Sequence, residues 1–561
     1  MRMLLRHPRG TMTRATGSAG IGRASAALAS GTLVSRVLGF VKAAVLVQTI
    51  GLFAAGNAFA VGNQLPNNIY ALIAGGVLSA VLIPQIVRAG VHDDGGQRFI
   101  NKLLTLGATV FLAVAVVATL AAPWLVALYT QLAAGEGKGF SPEGIALATA
   151  FAYWCLPQIL FYALYSLLGE VLNARRIFGP FAWAPVLNNV VAIAGLIVFT
   201  VLFGGAAENL SPDTWTPSKI AVLAGSATLG IAAQAGVLAF FWRRTGLSYR
   251  PDFRWKGVGL ARTGKAAGWL FAMIAVSQLA GIVQSNVVSI AANTSTSVLA
   301  LQSAWLIFMV PHSVIAVSLA TVYFTRMSGH ASAGNLAGVR ADVSSSMRAI
   351  GMILVFSSVA LVVAAYPFSR IFTDEFDNVV GMGGVIMAYA IGLVPFSMVF
   401  VLQRVFYSLE DTRTVFFIEV AKSALFVVGS LLVALLPIDQ IGLGMAIVTS
   451  AVAFAHFTIT FIVLRRRLDR LDGRLILRRH LQYLAAALIA GAGGFGVLAL
   501  LGGFGDGGFS IAHPVSAAVS IVVIGAVMGA IYGGLLTLMR NPELRVVVGT
   551  VMTRFRRGGS E

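Results

Sequence analysis

The chain has 561 residues, 58% of them apolar and only 11% charged, with a formal net charge of +19. Soluble domains carry roughly 25% charged residues, so this composition excludes an ordinary soluble fold and suits a chain whose solvent is mostly lipid. One cysteine, Cys155, excludes an internal disulfide, and no His/Cys spacing fits a metal site.

The N-terminus, Met1 to Gly20, is basic and polar with no apolar core, so it reads as a tail and not as a signal peptide. A spanning helix needs about 20 mostly apolar residues. Fourteen such stretches follow in chain order: 24–51, 57–90, 101–131, 141–174, 178–205, 217–243, 266–292, 296–328, 346–371, 378–408, 414–437, 439–466, 478–503 and 511–540. Cytoplasmic loops collect Lys and Arg. With the N-terminus inside, Lys138, Lys219 and Arg370 fall outside and Arg36, Lys42 and Lys422 fall within spans, while the other cations fall in inside loops and tails. The densest inside loops run from Arg243 to Lys265 and from Arg465 to Arg479. A wrong span count would scramble this alternation. It also explains the net charge as topology: the cations are scattered over short loops and do not cluster on one foldable domain, which argues against nucleic-acid binding.

Spans one and seven share a pattern. Ser35-Arg-Val-Leu-Gly-Phe-Val-Lys42 lines up with Ser277-Gln-Leu-Ala-Gly-Ile-Val-Gln284, so Arg36 pairs with Gln278 and Lys42 with Gln284. The next span in each half carries a proline, Pro66 and Pro311. A six-span unit repeats in the same orientation, as in transporters that hold substrate between two halves. The expected architecture is an all-α polytopic membrane protein: a basic cytoplasmic tail (1–23), an N-lobe of six spans (24–243), a basic cytoplasmic loop (244–265), a C-lobe of six spans (266–466), two appended spans (467–540) and a basic tail (541–561). Gly525, Gly529 and Gly533 recur every four residues in the last span, a pattern that favours close helix packing.

Arg36 lies near the middle of its span with no acid one turn away. A cation there costs about 2.5–3.5 kcal/mol on insertion scales, so it is expected to face a wet cavity or an anion. Arg36 as a fork and Lys42 as a point charge suit a phosphate. Span two holds Asn57, Asn63, Gln64, Pro66, Asn67 and Asn68, which read either as a broken polar helix lining a cavity or as a structural kink. Glu419 and Lys422, three apart, form either a structural ion pair or a coupling group. His312 reads as a hydrogen-bonded packing residue. The run Gly259-Leu-Ala-Arg-Thr-Gly264-Lys265 lacks the Ser or Thr and the preceding strand of a phosphate loop, so it does not support ATP hydrolysis.

Four motifs, Ser35 to Lys42, Leu65-Pro-Asn67, Ala184-Pro-Val-Leu-Asn188 and Phe406-Tyr-Ser-Leu-Glu-Asp-Thr-Arg-Thr414, resemble the MurJ/MviN family of the multidrug/oligosaccharidyl-lipid/polysaccharide exporter superfamily. The resemblance implies a flippase for lipid II, the undecaprenyl-pyrophosphate-linked peptidoglycan precursor, working by alternating access between two lobes. The intramembrane cations, the polar run of span two and the repeat together give Arg36, Lys42, Asn57, Asn67, Gln278 and Gln284 as candidate substrate-binding residues, and the resemblance implies that Arg36 matches a family arginine and Lys42 conservatively replaces another. Glu419, Lys422 and Asp411 are candidate coupling groups for an ion or the membrane potential, with no other cofactor. Expected partners are the lipid-linked anionic sugar, membrane lipids and cell-wall synthesis proteins. The chain departs from the family's charges at Asn57, Tyr70 and Leu306. Rival readings are a flippase for another polyprenyl-linked glycan, a cation-coupled drug exporter, and a membrane glycosyltransferase or polymerase. The last would need a carboxylate cluster on an outside loop, where only Asp374-Glu-Phe-Asp377 qualifies.

Overall fold

The computed structural model describes residues 15–77, 94, 96–130, 138–175, 177–254 and 264–545. The expected tails before 15 and after 545, Arg88, Arg176 and most of the phosphate-loop-like run lie outside the described residues. In a bilayer every backbone polar group must be satisfied within the chain, and the described residues meet this with helices. The spans, numbered by order, are span 1 (Ala15–Ile50), span 2 (Ala54–Val77), span 3 (Gln97–Leu120, followed by Ala122–Thr130), span 4 (Pro142–Cys155 and Gln158–Ala174), span 5 (Phe178–Phe203) and span 6 (Pro217–Phe241). Then come span 7 (Gly264–Ser289), span 8 (Val298–Pro311 and Val317–Ser332), span 9 (Leu336–Val363), span 10 (Phe376–Ile391 and Leu393–Ser408), span 11 (Thr412–Val433), span 12 (Ile441–Arg467), span 13 (Gly473–Leu500) and span 14 (Pro514–Leu538).

Twelve of these are long and apolar enough to cross a membrane, and span 10, bent by 41°, makes a thirteenth. Span 2 falls short of that apolarity because Asn57, Asn63, Gln64, Asn67 and Asn68 interrupt it. Span 9 begins ten residues before the expected 346 because Asn335 caps it, accepting the Gly338 N–H at 2.9 Å. Spans 4, 6 and 14 each open on a proline, Pro142, Pro217 and Pro514, where the missing N–H costs nothing. Pro66 does not break span 2, which runs continuously through it. Pro311 is followed by one wide π-helical turn, His312–Ala316, inside span 8.

Packing follows the repeat. Span 1 packs on span 5 as span 7 packs on span 11, and span 5 packs on span 6 as span 11 packs on span 12. Span 2 packs on the first half of span 4 as span 8 packs on the first half of span 10. The two appended spans dock on span 9 of the second lobe. Their core joins Met352 and Val355 to Tyr483, Ile524 and Met528, and the Tyr532 hydroxyl donates to the Met352 carbonyl at 2.6 Å. Buried Arg370 pins the loop between spans 13 and 14, donating to the carbonyls of Ile511 (2.5 Å) and Ala512 (2.9 Å).

The glycine ladder expected at this seam is elsewhere. A Cβ on Gly525 or Gly533 would meet nothing within 4 Å, and one on Gly529 only the Phe356 ring at 3.9 Å. The close approach is made by span 13, where a Cβ on Gly494 would meet the Met528 sulfur at 2.6 Å. A repeat of small residues marks one face of a helix, but which face meets a neighbour is decided by the bulk on the other side, here Met528 and Ile531.

Candidate functional site

At the arginine-poor end the lobes are zipped together. The buried Asn57 amide donates to the carbonyls of Leu52 (3.0 Å) and, across the lobe boundary, Ala292 (2.7 Å), while its oxygen accepts the Leu299 N–H at 2.9 Å. The Gly139 N–H donates to the Ile290 carbonyl at 2.9 Å, Gln48 donates to the Ile371 carbonyl at 2.9 Å, and Phe40 meets Phe372 edge-on at 5.2 Å. At mid-depth, Gln302 donates to the Gln64 side-chain oxygen at 2.8 Å, and Gln278 donates to the Asn68 carbonyl at 2.8 Å. The repeat therefore gives Gln278 a structural bond between spans 7 and 2.

Beneath this seam lies a chamber of about 800 Å³, inside the size range of small-molecule sites. Its first-lobe wall is the polar stretch of span 2, with Asn63, Gln64, Asn67 and Asn68. That stretch is the asparagine run the sequence left open between a cavity wall and a kink. The second lobe supplies Gln284, Trp305, Phe396, Gln403, Glu419 and Lys422 among others.

Arg36 is held on span 1 one residue beyond Ser35, whose carbonyl accepts a bond from Asn189 of span 5 at 2.9 Å. Asn189, the residue that follows the Ala184–Asn188 motif, thus fixes the backbone beside the intramembrane cation. The Arg36 side chain is exposed on its helix, with no hydrogen bond or ion pair among the described residues. Lys42 is half-buried further along the same span, about 9 Å at 1.5 Å per residue, and likewise has no ion-pair partner among the described residues.

Lys422 meets the Glu419 carboxylate at 2.5 Å, and Ser277 donates to the same oxygen at 2.6 Å. The pair is thus tied to span 7 and neutralised within the chamber wall. Asp411 is elsewhere, at the arginine-rich end. It caps span 11, accepting the Thr414 N–H (3.1 Å) and hydroxyl (2.8 Å), just after Glu410 turns the chain at φ 58°. The Phe406–Thr414 motif is therefore the chemistry of a tight helical hairpin. His312 bonds the Ser397 hydroxyl at 2.9 Å, joining spans 8 and 10. Tyr70 packs against Tyr162 at 5.7 Å and Phe111 at 5.9 Å.

The structure thus brings Asn67, Gln284, Glu419 and Lys422 to one chamber, while Arg36 and Lys42 stand on span 1 outside the residues that line it. It assigns Asn57 and Asp411 to a seam and a cap. Trp305, Phe396, Gln403 and His456 are chamber residues that the sequence reading passed over. The available signal was a lone polar side chain, Gln403 or His456, inside an otherwise apolar span.

The family described as Lipid II flippase MurJ matches residues 46–509. The probable lipid II flippase MurJ of Haemophilus influenzae is 25% identical over 474 residues, 82% of this chain and 88% of that protein. That of Vibrio cholerae is 26% identical over 401 residues, 68% of this chain and 72% of that protein. Among solved structures, a lipid II flippase MurJ in an inward closed conformation superposes with a TM-score of 0.68 at 16% identity, covering 91% of this chain and 99% of that one. An inward-facing MATE family transporter of the MOP superfamily gives 0.58 at 16% identity, covering 77% and 94%. At such identity the structural likeness speaks for the fold alone, while the family pattern runs through both lobes. The chain belongs to the MurJ family of multi-pass membrane transporters.

Proposed function

We propose that this chain moves lipid II from the inner to the outer leaflet of the bacterial cytoplasmic membrane, by alternating access between its two six-helix lobes. The observation that carries this reading is a chamber between the lobes, walled on the first-lobe side by the amides of span 2 and sealed at the arginine-poor end, together with an intramembrane cation, Arg36, that has no hydrogen bond or ion pair among the described residues. An intramembrane cation without a protein partner is stabilised by an anion, and a diphosphate supplies one. Both termini face the cytoplasm in this reading, so the chamber loads from the inner leaflet. The two appended spans give the polyprenyl tail a wall against the C-lobe. Glu419 and Lys422 are the groups on which a coupling ion or the membrane potential acts.

Depletion of the protein in its host, followed by analysis of lipid-linked precursors, tests this reading. Lipid II is expected to accumulate in the inner leaflet. Accumulation of a different polyprenyl-linked glycan, with lipid II unchanged, would assign the chain to that substrate instead.

A further inference from the structure

The stretch between spans 9 and 10, at the arginine-poor end, touches three bodies at once. It is a short helix, Ala365–Arg370, followed by the turn 371–375. Within its own lobe it packs tightly: a Cβ on Gly383 of span 10 would meet the Tyr366 ring at 2.5 Å, and Phe372 is fully buried. Toward the appended spans, the Arg370 guanidinium donates to the carbonyls of Ile511 and Ala512, just before span 14 begins at Pro514. Toward the first lobe, the Ile371 carbonyl accepts from Gln48 of span 1, and the rings of Phe368 (6.5 Å) and Phe372 (5.2 Å) meet Phe40 edge-on. Arg370 and Ile371 are adjacent, so one turn of chain is held by the appended spans through a side chain and by span 1 through its backbone.

The two attachments are unequal. The Arg370 side chain is 8% exposed and has four acceptors: the carbonyls of Ile511, Ala512 and Thr373 and the carboxylate of Asp374. Bonds from a charged donor are roughly twice as strong as neutral ones, and pulling these apart would strand a buried cation. Gln48 is exposed and makes one neutral bond, which water replaces at little cost. Edge-on rings separate without leaving a polar group unpaired. At the arginine-rich end a second arginine does for the appended spans what Arg370 does here: Arg348 of span 9 pairs with Glu543, just beyond the end of span 14. Span 14 is therefore fastened to the C-lobe beyond both of its ends, whereas the C-lobe is fastened to span 1 by the weaker contact.

Resting on the alternating access proposed above, we infer that residues 365–375 are a strut that couples the appended spans to the movement of the C-lobe. When the arginine-poor end opens, the seam parts between span 1 and the strut, at the Gln48–Ile371 bond and the Phe40–Phe372 contact. Arg370 keeps its hold on the start of span 14, so spans 13 and 14 leave span 1 together with the C-lobe. Arg370 is a positioning residue, and Gln48 is the releasable side of the same joint.

The test is spin-label distance measurement on the full-length protein in lipid nanodiscs, in a Cys155→Ser background. Labelled cysteines replace Asp213 of the first lobe, Asp377 of the second and Asp506 of the appended hairpin, all exposed at the arginine-poor end. Asn57→Leu, which unpairs two backbone groups across the seam, serves to open that end. In that variant the 213–377 and 213–506 distances are expected to lengthen together while 377–506 stays fixed. Adding Gln48→Leu, at an exposed side chain, is expected to raise the open-to-closed ratio by about 2- to 10-fold, the scale of one neutral hydrogen bond. Adding Arg370→Met is expected to broaden 377–506 alone, with Arg370→Lys between it and the parent, whereas general unfolding would broaden all three. Lengthening of 377–506 with 213–506 fixed would place the hairpin with the first lobe. That result, or a 377–506 distance indifferent to Arg370, would overturn the strut and leave alternating access in place. A 213–377 distance that is single and unchanged in every variant would overturn both.

Discussion

Asn57 and Leu299, on opposite sides of the lobe boundary, are joined by a 2.9 Å bond from the Leu299 N–H to the Asn57 side-chain oxygen. The same amide donates to the Ala292 carbonyl, so one buried side chain closes two backbone groups of the second lobe. Asn57→Leu removes both partners, and each buried group left unpaired costs about 1–3 kcal/mol. The variant is expected to populate a conformation open at the arginine-poor end. In a Cys155→Ser background, a cysteine at Gln302 is expected to become reactive to an impermeant thiol reagent added from outside in the Asn57→Leu variant and to stay protected without it. Equal protection in both would show that the seam does not depend on Asn57.

Topology makes a second prediction. Asp213 is exposed in the loop between spans 5 and 6, and Asp472 in the loop between spans 12 and 13. In the same background, a cysteine at Asp213 is expected to label from outside intact cells and one at Asp472 only after permeabilisation. The reverse pattern would invert the direction of transport.

The residues that were legible and those that were not differ in a physical way. Span positions, the repeat and the intramembrane Arg36 follow from hydropathy and from the cost of a charge in lipid, which are local properties of the chain. Asn57 reads from sequence as one more amide in the run that includes Asn67. Only the packing shows that Asn57 is enclosed by Leu52, Ala292 and Leu299, whereas Asn67 lines the chamber. The glycines of span 14 misled for the same reason: the seam runs along Gly494, opposite Met528. Trp305 was hidden because an aromatic in an apolar span has no local feature that separates cavity wall from core.

That seam gives a third prediction. Gly494→Leu forces a side chain into the Met528 contact and is expected to destabilise the docking of span 13 by about 1–3 kcal/mol. Gly529→Leu, with its nearest neighbour at 3.9 Å, is expected to be close to neutral. Thermal unfolding in detergent distinguishes them. Equal losses would return the contact to span 14.

The Glu419–Lys422 pair predicts a double-mutant result. Lys422→Met leaves a carboxylate with 8% of its side chain exposed and no counter-charge, and breaking such a pair costs about 3–5 kcal/mol. Glu419→Gln combined with Lys422→Met is expected to recover most of that stability, because neither charge is then stranded. A double variant no more stable than the single would show that the two charges do not act as a unit. A stable double variant without transport would separate a coupling role from a packing one.

The most direct test of the account is translocation of lipid II across reconstituted vesicles by the wild type and by Arg36 and Gln278 variants at matched protein levels. Arg36 has no partner among the described residues, whereas Gln278 is bonded to Asn68. Losing one charged hydrogen bond to the diphosphate costs about 1.5–3 kcal/mol, so Arg36→Gln is expected to lower the rate by about 10- to 100-fold. Arg36→Lys is expected to be intermediate, because charge remains while the fork is lost. Gln278→Ala is expected to be milder than either. If Gln278→Ala were the more severe and Arg36→Gln translocated at the wild-type rate, Arg36 would not hold the anion, and the placement of the diphosphate on the first lobe would be wrong.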